Sequence, residues 1–292
     1  MKKFIKVAFF TITGIALIVL VAGGLFAWKA MYGFNFYDTD PPELPVLGEQ
    51  SVLVFSKTNA FRHNEAIEAS QPAFRELASD NGWYMYHTEN GAIFNPEQLP
   101  KFDVVIWNNV SGKALNSEQR NHFRNWLKDG GGFVGIHAAG DFSHQWDWYE
   151  DEVIGARFSH HTMRPQFQEG TLSIEINEKN LKISQGLPET WIREEEWYVF
   201  YENPRERSFT VLYRLDGTEI NPDGSIPVLA PDKDFGMGSD HPVAWYRELE
   251  EGRTFYTSMG HQAAAFSDDH FLRMIENAIR WTGRYYDESN QL

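Results

Sequence analysis

The sequence predicts an α/β domain with a mainly parallel sheet flanked by helices, preceded by one N-terminal transmembrane helix. Two patterns within the 292 residues predict the domain. Short apolar runs alternate with helical segments, which is typical of parallel strands joined by crossover helices. One such run, "GGGFVGIHAAGD" at 130–141, ends abruptly at His137 and turns straight into a predicted helix. A third pattern, a long uncharged run near the start, predicts the membrane helix.

The uncharged run extends from Val7 to Trp28. A helix of that length spans roughly 33 Å, about the thickness of one bilayer core. Cleavable signal peptides have shorter apolar regions and small residues at the cleavage site, which the bulky Leu25 and Phe26 do not match. We therefore expect an uncleaved anchor that contacts the lipid bilayer through residues 7–28.

Lysine residues predict the orientation of this anchor. Lys2, Lys3 and Lys6 precede the apolar run, whereas Lys29 stands alone after it. Because positive charge is retained on the cytoplasmic side, the N-terminus is expected inside the cell. The rest of the chain is then expected in the periplasm or outside the cell, attached to the cytoplasmic membrane by a single pass.

Composition divides the chain into four segments. Residues 1–29 are the predicted anchor, and residues 30–50 are a predicted linker because "DTDPPELP" carries prolines and acids without an apolar period. The domain is predicted over 51–284, with a tail at 285–292.

Charge and cysteine content exclude several classes of function. The formal net charge of −15 and the absence of a basic stripe argue against a nucleic-acid partner, since that affinity needs clustered Lys and Arg. The chain has no cysteine, which excludes disulfides, thiolate catalysis and a lipoprotein anchor. A hydrophobic content of 42% is ample for a packed core.

Strands and helices alternate in the first half of the domain. The predicted strands are "SVLVFS", "WYMYHT", "FDVVIWNN" and "GFVGIH", and the predicted helices are Glu65 to Asn81 and Ser117 to Asp129. Ligands bind at the carboxyl ends of parallel strands. That edge is expected to gather the loops after the first and third strands and His137 after the fourth.

The order of predicted elements changes after Asp141, where helices no longer alternate with strands. Short alternating runs predict antiparallel strands that extend the sheet or form a flap: "TLSIEI", "EWYVFYE", "FTVLYRL", "HPVAWYRE" and "GRTFYTSMG". The final "FSDDHFLRMIENAIRWTGRYY" has apolar residues at helical spacing, with Ser267 as the predicted N-cap.

Several separated motifs in this order carry a resemblance to a known family. They are "KTNAFRHNEAIEA", "LKDGGGFVGIHAAGD", "EEEWYVF", "HPVAWYRELEEGRTFYTSMGH" and "FLRMIENAIRWTG". Together they resemble the ThuA-like family, named for trehalose utilisation, over roughly Ser51 to Thr282. The resemblance implies a flavodoxin-like or class I glutamine amidotransferase-like fold. It also implies a role in carbohydrate utilisation, in which a sugar oxidoreductase in the same pathway is a possible partner.

In the fold that the resemblance implies, the turn from Gly135 to Ala139 lies where amidotransferases keep a cysteine. That chemistry requires a thiolate. The presence of His137 therefore excludes glutamine amidotransferase activity, although the turn still directs a side chain into the cleft.

Four residues are the predicted catalytic groups: His63, His137, Glu196 and His261. Each lies at a motif position near the predicted carboxyl edge, with Glu195 as an alternative to Glu196. Packing offers a second interpretation of each, since histidines also cap helices or brace turns and a run of acids is often a solvated face. His137 at a tight turn is the strongest of the four.

Six further residues are predicted to bind substrate. They are Arg62, Asn108, Trp148, His160, Trp197 and His241. Indoles beside carboxylates suit the faces of a pyranose ring, and only one of the adjacent His160 and His161 is expected to face the cleft.

Three hypotheses about the site stay open at this point. In the first, histidines and a glutamate transfer protons on a sugar or keto-sugar, as in an isomerase, lyase or hydrolase. In the second, a divalent Zn, Mn or Fe ion bound by histidines such as His137, His160 and His261, together with Glu196, assists the reaction. In the third, the domain is a non-catalytic carbohydrate-binding module tethered to the membrane.

Overall fold

The computed structural model describes residues 2–176, 182–227 and 229–286. Helix α1 spans Lys2–Tyr32. Its segment Phe9–Lys29, with a mean hydropathy of 2.4 and no burial against the domain, is long and apolar enough to cross a membrane or to serve as a signal sequence. Most of the predicted tail, residues 287–292, lies outside the described residues.

The domain contains eleven strands and three further α-helices in its described part. The strands are β1 Ser51–Phe55, β2 Tyr84–Thr88, β3 Val104–Asn108, β4 Gly132–Ile136, β5 Phe158–His161, β6 Gln168–Ile174, β7 Thr190–Glu195, β8 Tyr198–Phe200, β9 Thr210–Leu215, β10 His241–Leu249 and β11 Gly252–Thr257. The helices are α2 Asn64–Asn81, α3 Ser117–Lys128 and α4 Asp269–Thr282.

Nine strands form one mixed sheet in the order β2-β1-β3-β4-β11-β10-β9-β6-β7. The first five strands in this order are parallel to one another, and the remaining pairs are antiparallel. Strands β5 and β8 form a separate antiparallel ribbon. The predicted antiparallel run "EWYVFYE" contributes only its centre, β8, and this centre belongs to the ribbon instead of the main sheet.

Helices cover both faces of the parallel half because successive side chains of each buried strand point to opposite faces. On one face, strand residues such as Val54 and Ile106 pack against Phe74 of α2 and Met274 of α4. On the other face, a second set of strand residues packs against α3 in a separate cluster. Helix α4 begins after Asp268, whose carboxylate accepts the backbone N–H groups of residues 270 and 271, so the cap lies one residue beyond the predicted Ser267.

The segment between α1 and β1 lies against the loop that follows β1. Phe34 donates its backbone N–H to the carbonyl of Asn59 at 3.0 Å, and the Asn59 side-chain amide donates to the carbonyl of Phe36 at 3.1 Å. The carboxylate of Asp38 pairs with the Lys57 ammonium. We call residues 33–48 the strap.

We predict that Asp38→Asn destabilises the domain by about 1–3 kcal/mol, because it leaves the buried Lys57 ammonium without its counter-charge. Denaturant unfolding of the full chain in detergent measures the change. Asp40→Asn is the matched control, since Asp40 is exposed on the same strap. Equal free energies of unfolding for the two variants would contradict this account.

Candidate functional site

Four titratable side chains meet at the carboxyl edge of the sheet. His63 follows the loop after β1, His137 follows β4 directly, Glu196 follows β7 and His261 follows β11 by a short turn. One ligating atom from each lies within 4.8 Å of the others. We call these four residues the His/Glu cluster. The structure thus brings together the four residues predicted to be catalytic.

The turn after β4 holds His137 in a fixed orientation. The backbone enters the left-handed region at this residue, with φ at 51°, and continues as a single 3₁₀ turn at His137–Gly140 where the sequence predicts a longer helix. The buried phenol of Tyr256 donates to the His137 carbonyl at 2.9 Å. Gly140 is required beside it because a Cβ at that position would collide with the Tyr256 ring.

The tautomer of neutral His137 follows from its contacts. Nδ1 lies 2.7 Å from the carbonyl oxygen of Ser258, which only accepts hydrogen bonds, so Nδ1 carries the proton. Nε2 therefore presents a lone pair to the cluster. The Tyr198 hydroxyl lies 3.0 Å from this Nε2, and burial raises the pKa of Tyr198 well above its ordinary value. Tyr198 is thus a protonated donor to His137.

Glu196 supplies the negative charge of the cluster. Its Oε2 lies 3.0 Å from Nδ1 of His261 and 3.4 Å from Nε2 of His137. Its Oε1 accepts the Gln166 amide at 2.6 Å and lies 3.1 Å from Nδ1 of His161. Burial acts to raise the pKa of Glu196, but the contacts of its carboxylate with His137 and His261 outweigh burial and hold that pKa well below its usual range.

Glu195, the alternative to Glu196, points elsewhere. Its carboxylate accepts the backbone N–H groups of Gly260 at 3.0 Å and His261 at 3.3 Å, and the Arg193 guanidinium at 2.8 Å. Glu195 therefore positions the turn that carries His261, while Glu196 faces the cluster.

His63 completes the cluster with ring contacts. Its ring meets those of His137 and His261 edge-on, with centroids 4.7 Å and 4.6 Å away. Its Nδ1 is buried without a hydrogen-bond partner in the described structure. Burial, and then the neighbouring His137 and His261, hold the pKa of His63 well below its ordinary value, so this imidazole is neutral.

Solvent reaches the cluster beside His261. The His261 side chain is 17% exposed, whereas those of His137 and Glu196 are 0% and 3% exposed. Phe167 packs against the His261 ring, with centroids 5.2 Å apart, and the half-exposed Phe61 packs against His63 at 4.9 Å. The approach to the cluster from solvent is therefore lined by His261 and two aromatic rings.

The six predicted substrate-binding residues lie outside the His/Glu cluster. Arg62, on the loop before α2, pairs with Glu89, and the Asn108 amide donates to the Ser70 hydroxyl in the interior. Trp148 packs on Trp146 and Arg124, and the buried Trp197 donates its indole N–H to the Gln168 carbonyl. The rings of His160 and His241 contact the backbone carbonyls of Pro222 and Tyr198.

The sequence does not predict three partners of the cluster, Tyr198, Gln166 and His161. Of the two adjacent histidines it favours His160, whereas the structure places His161 against the Glu196 carboxylate. Tyr198 is not among the residues predicted to form the site. Its position two residues after Glu196 is the available signal, since residues i and i+2 of an extended segment point to the same side. Gln166 has no comparable signal because it lies in the loop before β6.

His241 predicts how stability depends on pH. Burial lowers its pKa to about 4, while Nε2 donates to the Tyr198 carbonyl at 2.8 Å. Below pH 6.5 the imidazole of His241 binds a proton in the unfolded chain but stays neutral in the folded chain. The free energy of unfolding therefore decreases as the pH falls from 7 to 5. This one group contributes about 2 kcal/mol of that loss at pH 5.

The measurement compares the free energy of unfolding of the parent chain and His241→Gln at pH 7 and pH 5. The variant should lose about 2 kcal/mol less than the parent between these pH values. An identical loss in both proteins would show that His241 does not resist protonation.

Comparisons with known proteins agree with this architecture. The family model described as "ThuA: Trehalose utilisation" matches residues 51–282. A crystal structure described as a ThuA-like protein from Bacteroides uniformis matches with a TM-score of 0.67 at 23% identity, covering 86% of this chain and 97% of that one. Another from Parabacteroides merdae matches with a TM-score of 0.61 at 16% identity, covering 82% and 91%. No curated protein sequence matches the chain. The structural matches confirm the predicted fold.

Proposed function

Because the chain belongs to the ThuA family of trehalose-utilisation proteins, we propose that it is an enzyme of carbohydrate utilisation that acts on a sugar or keto-sugar by His/Glu acid–base chemistry. The single observation that carries this proposal is the His/Glu cluster at the carboxyl edge of the sheet. In α/β proteins of this kind, that edge is where ligands bind.

The contacts of His261 support a role as the proton acceptor. The Glu196 carboxylate accepts a hydrogen bond from Nδ1–H of His261. This holds the tautomer in which Nε2 carries the lone pair. Nε2 of the partly exposed His261 is then the ring atom available to take a proton from a substrate. Glu196 acts through His261 and is a positioning residue.

A keto-sugar suits this arrangement. Its carbonyl acidifies the neighbouring C–H, and removal of that proton leaves an enolate that a nearby donor must stabilise. Isomerisation and elimination both begin with this step. Chemistry that requires a thiolate is excluded, since the chain contains no cysteine.

We predict that Glu196→Gln and His261→Ala lower kcat/KM for a keto-glycoside by about 10²- to 10⁴-fold. The assay incubates the chain with keto-glycosides and their parent glycosides in D₂O and follows deuterium entry next to the carbonyl by NMR. The variant His122→Ala is the control, because His122 lies on α3 outside the cluster, and it should retain full activity. Saturable sugar binding without deuterium exchange or product would favour a non-catalytic binding module instead.

We also propose that α1 anchors the domain to the cytoplasmic membrane with the N-terminus inside the cell. The lysine asymmetry supports this orientation. The strap joins α1 to the loop after β1, the same loop that leads to His63. An anchored chain therefore holds the carboxyl edge of the sheet close to the bilayer surface.

The anchor predicts that the chain remains full-length in the membrane fraction and resists carbonate extraction. A reporter fused after Gln50 should be active only outside the cytoplasm. A soluble product that begins near residue 30 would instead identify α1 as a cleaved signal sequence.

A further inference from the structure

We propose that the His/Glu cluster is a binding site for one divalent transition-metal ion, held by His63, His137, Glu196 and His261. This inference rests on the same four side chains as the proposed function and deepens it. A metal ion on Nδ1 of His261 would replace the Nδ1 proton, so Nε2 would then carry the ring proton and the ion, instead of His261, would activate the substrate. It makes a claim about binding that is measurable without any substrate.

The spacing of the donor atoms is that of a metal coordination shell. Nε2 of His137 and Nδ1 of His261 are 3.0 Å apart, Nδ1 of His261 and Oε2 of Glu196 are 3.0 Å apart, and the third pair is 3.4 Å apart. Ligands bonded to one zinc ion at about 2.0–2.1 Å in a tetrahedron lie about 3.3–3.4 Å from one another. An ion therefore fits among these three atoms with shifts of a few tenths of an ångström.

The groups behind the donors orient them as in metal sites. Nδ1–H of His137 donates to the Ser258 carbonyl, which directs the lone pair of Nε2 into the cluster. The second carboxylate oxygen of Glu196 accepts the Gln166 amide at 2.6 Å, which leaves Oε2 to the cluster. Ligating histidines and carboxylates in metalloproteins are held by outer contacts of this kind.

His63 supplies the independent observation that points to a ligand. One of its ring nitrogens lies within the 4.8 Å group, and its Nδ1 is buried without a hydrogen-bond partner among the described residues. Such a nitrogen is costly to bury. The three imidazoles meet one another edge-on, and one carboxylate lies beside them. With neutral rings this group carries a net negative charge, which a dication would compensate.

The donor set selects the class of ion. Three imidazole nitrogens and one carboxylate oxygen suit Zn²⁺, Mn²⁺, Fe²⁺ or Co²⁺, whereas Mg²⁺ and Ca²⁺ prefer all-oxygen shells. Partial exposure of His261 leaves an approach for a sugar oxygen. When bound, the ion would polarise a keto-sugar carbonyl.

The test uses the full chain, purified in detergent without a histidine tag and stripped with a chelator. Titration calorimetry with Zn²⁺ and visible absorption with Co²⁺ should each show one equivalent bound, with no heat from Mg²⁺. Glu196→Gln and His261→Ala should weaken Zn²⁺ binding by at least about 100-fold. His160→Gln is the matched control, because His160 lies outside the cluster, and should bind as the parent does.

Thermal unfolding of each metal-free variant shows whether that variant folds. If His261→Ala does not fold, the isosteric Glu196→Gln still decides the test. Absence of stoichiometric binding by both Zn²⁺ and Co²⁺, or unchanged Zn²⁺ affinity in folded Glu196→Gln, overturns the metal site. If turnover persists in the metal-free chain and is lost in Glu196→Gln, the acid–base function is supported and does not require a metal ion. Stoichiometric binding without turnover of any sugar supports the metal site and contradicts the proposed function.

Discussion

The buried carboxylate of Glu196 is the constraint on which the arrangement of the site depends. A carboxylate taken out of water is costly unless donors surround it. Here the polar groups that contact it come from separate parts of the chain: Gln166 and His161 contact one oxygen, while His137 and His261 contact the other. The end of β7, the turn after β4 and the turn after β11 must therefore all reach one point.

The turn at His137 is the second fixed element, and it is strained. A non-glycine residue with φ at 51° is sparsely populated and costs about 1–3 kcal/mol. The buried neighbours offset that cost, since Tyr256 donates to the His137 carbonyl and Ser258 accepts from its ring. These two hydrogen bonds fix the strained residue and keep its imidazole directed toward Glu196 and Tyr198.

Much of the fold and part of the site could be predicted from the sequence, for identifiable reasons. Alternating helices and buried strands define the parallel half, and that architecture places His63 and His137 at one edge. Contacts that depend on the antiparallel half could not be predicted. Trp197 follows Glu196 directly, and the chain turns its indole into the core against the Gln168 carbonyl. A local pattern does not specify which strand will cover such a residue.

Histidine content shows the same limit. His160 and His241 are predicted site residues like His261, yet their ring nitrogens contact backbone carbonyls of Pro222 and Tyr198. A histidine that braces a backbone and one that faces a cleft have the same local sequence signature. Long-range pairing decides between them, because it determines whether a carbonyl or a carboxylate lies within reach of the ring.

The strap and the site share one loop, and this links the N-terminal segment to the site. The Asn59 amide donates to the carbonyls of Phe36 and Lys113, and the Ser111 hydroxyl donates to the carbonyl of Phe61. These bonds hold the loop between β1 and His63 from both sides. The strap therefore helps to position His63. Because the His63 ring contacts those of His137 and His261, the strap also contributes to the scaffold of the cluster.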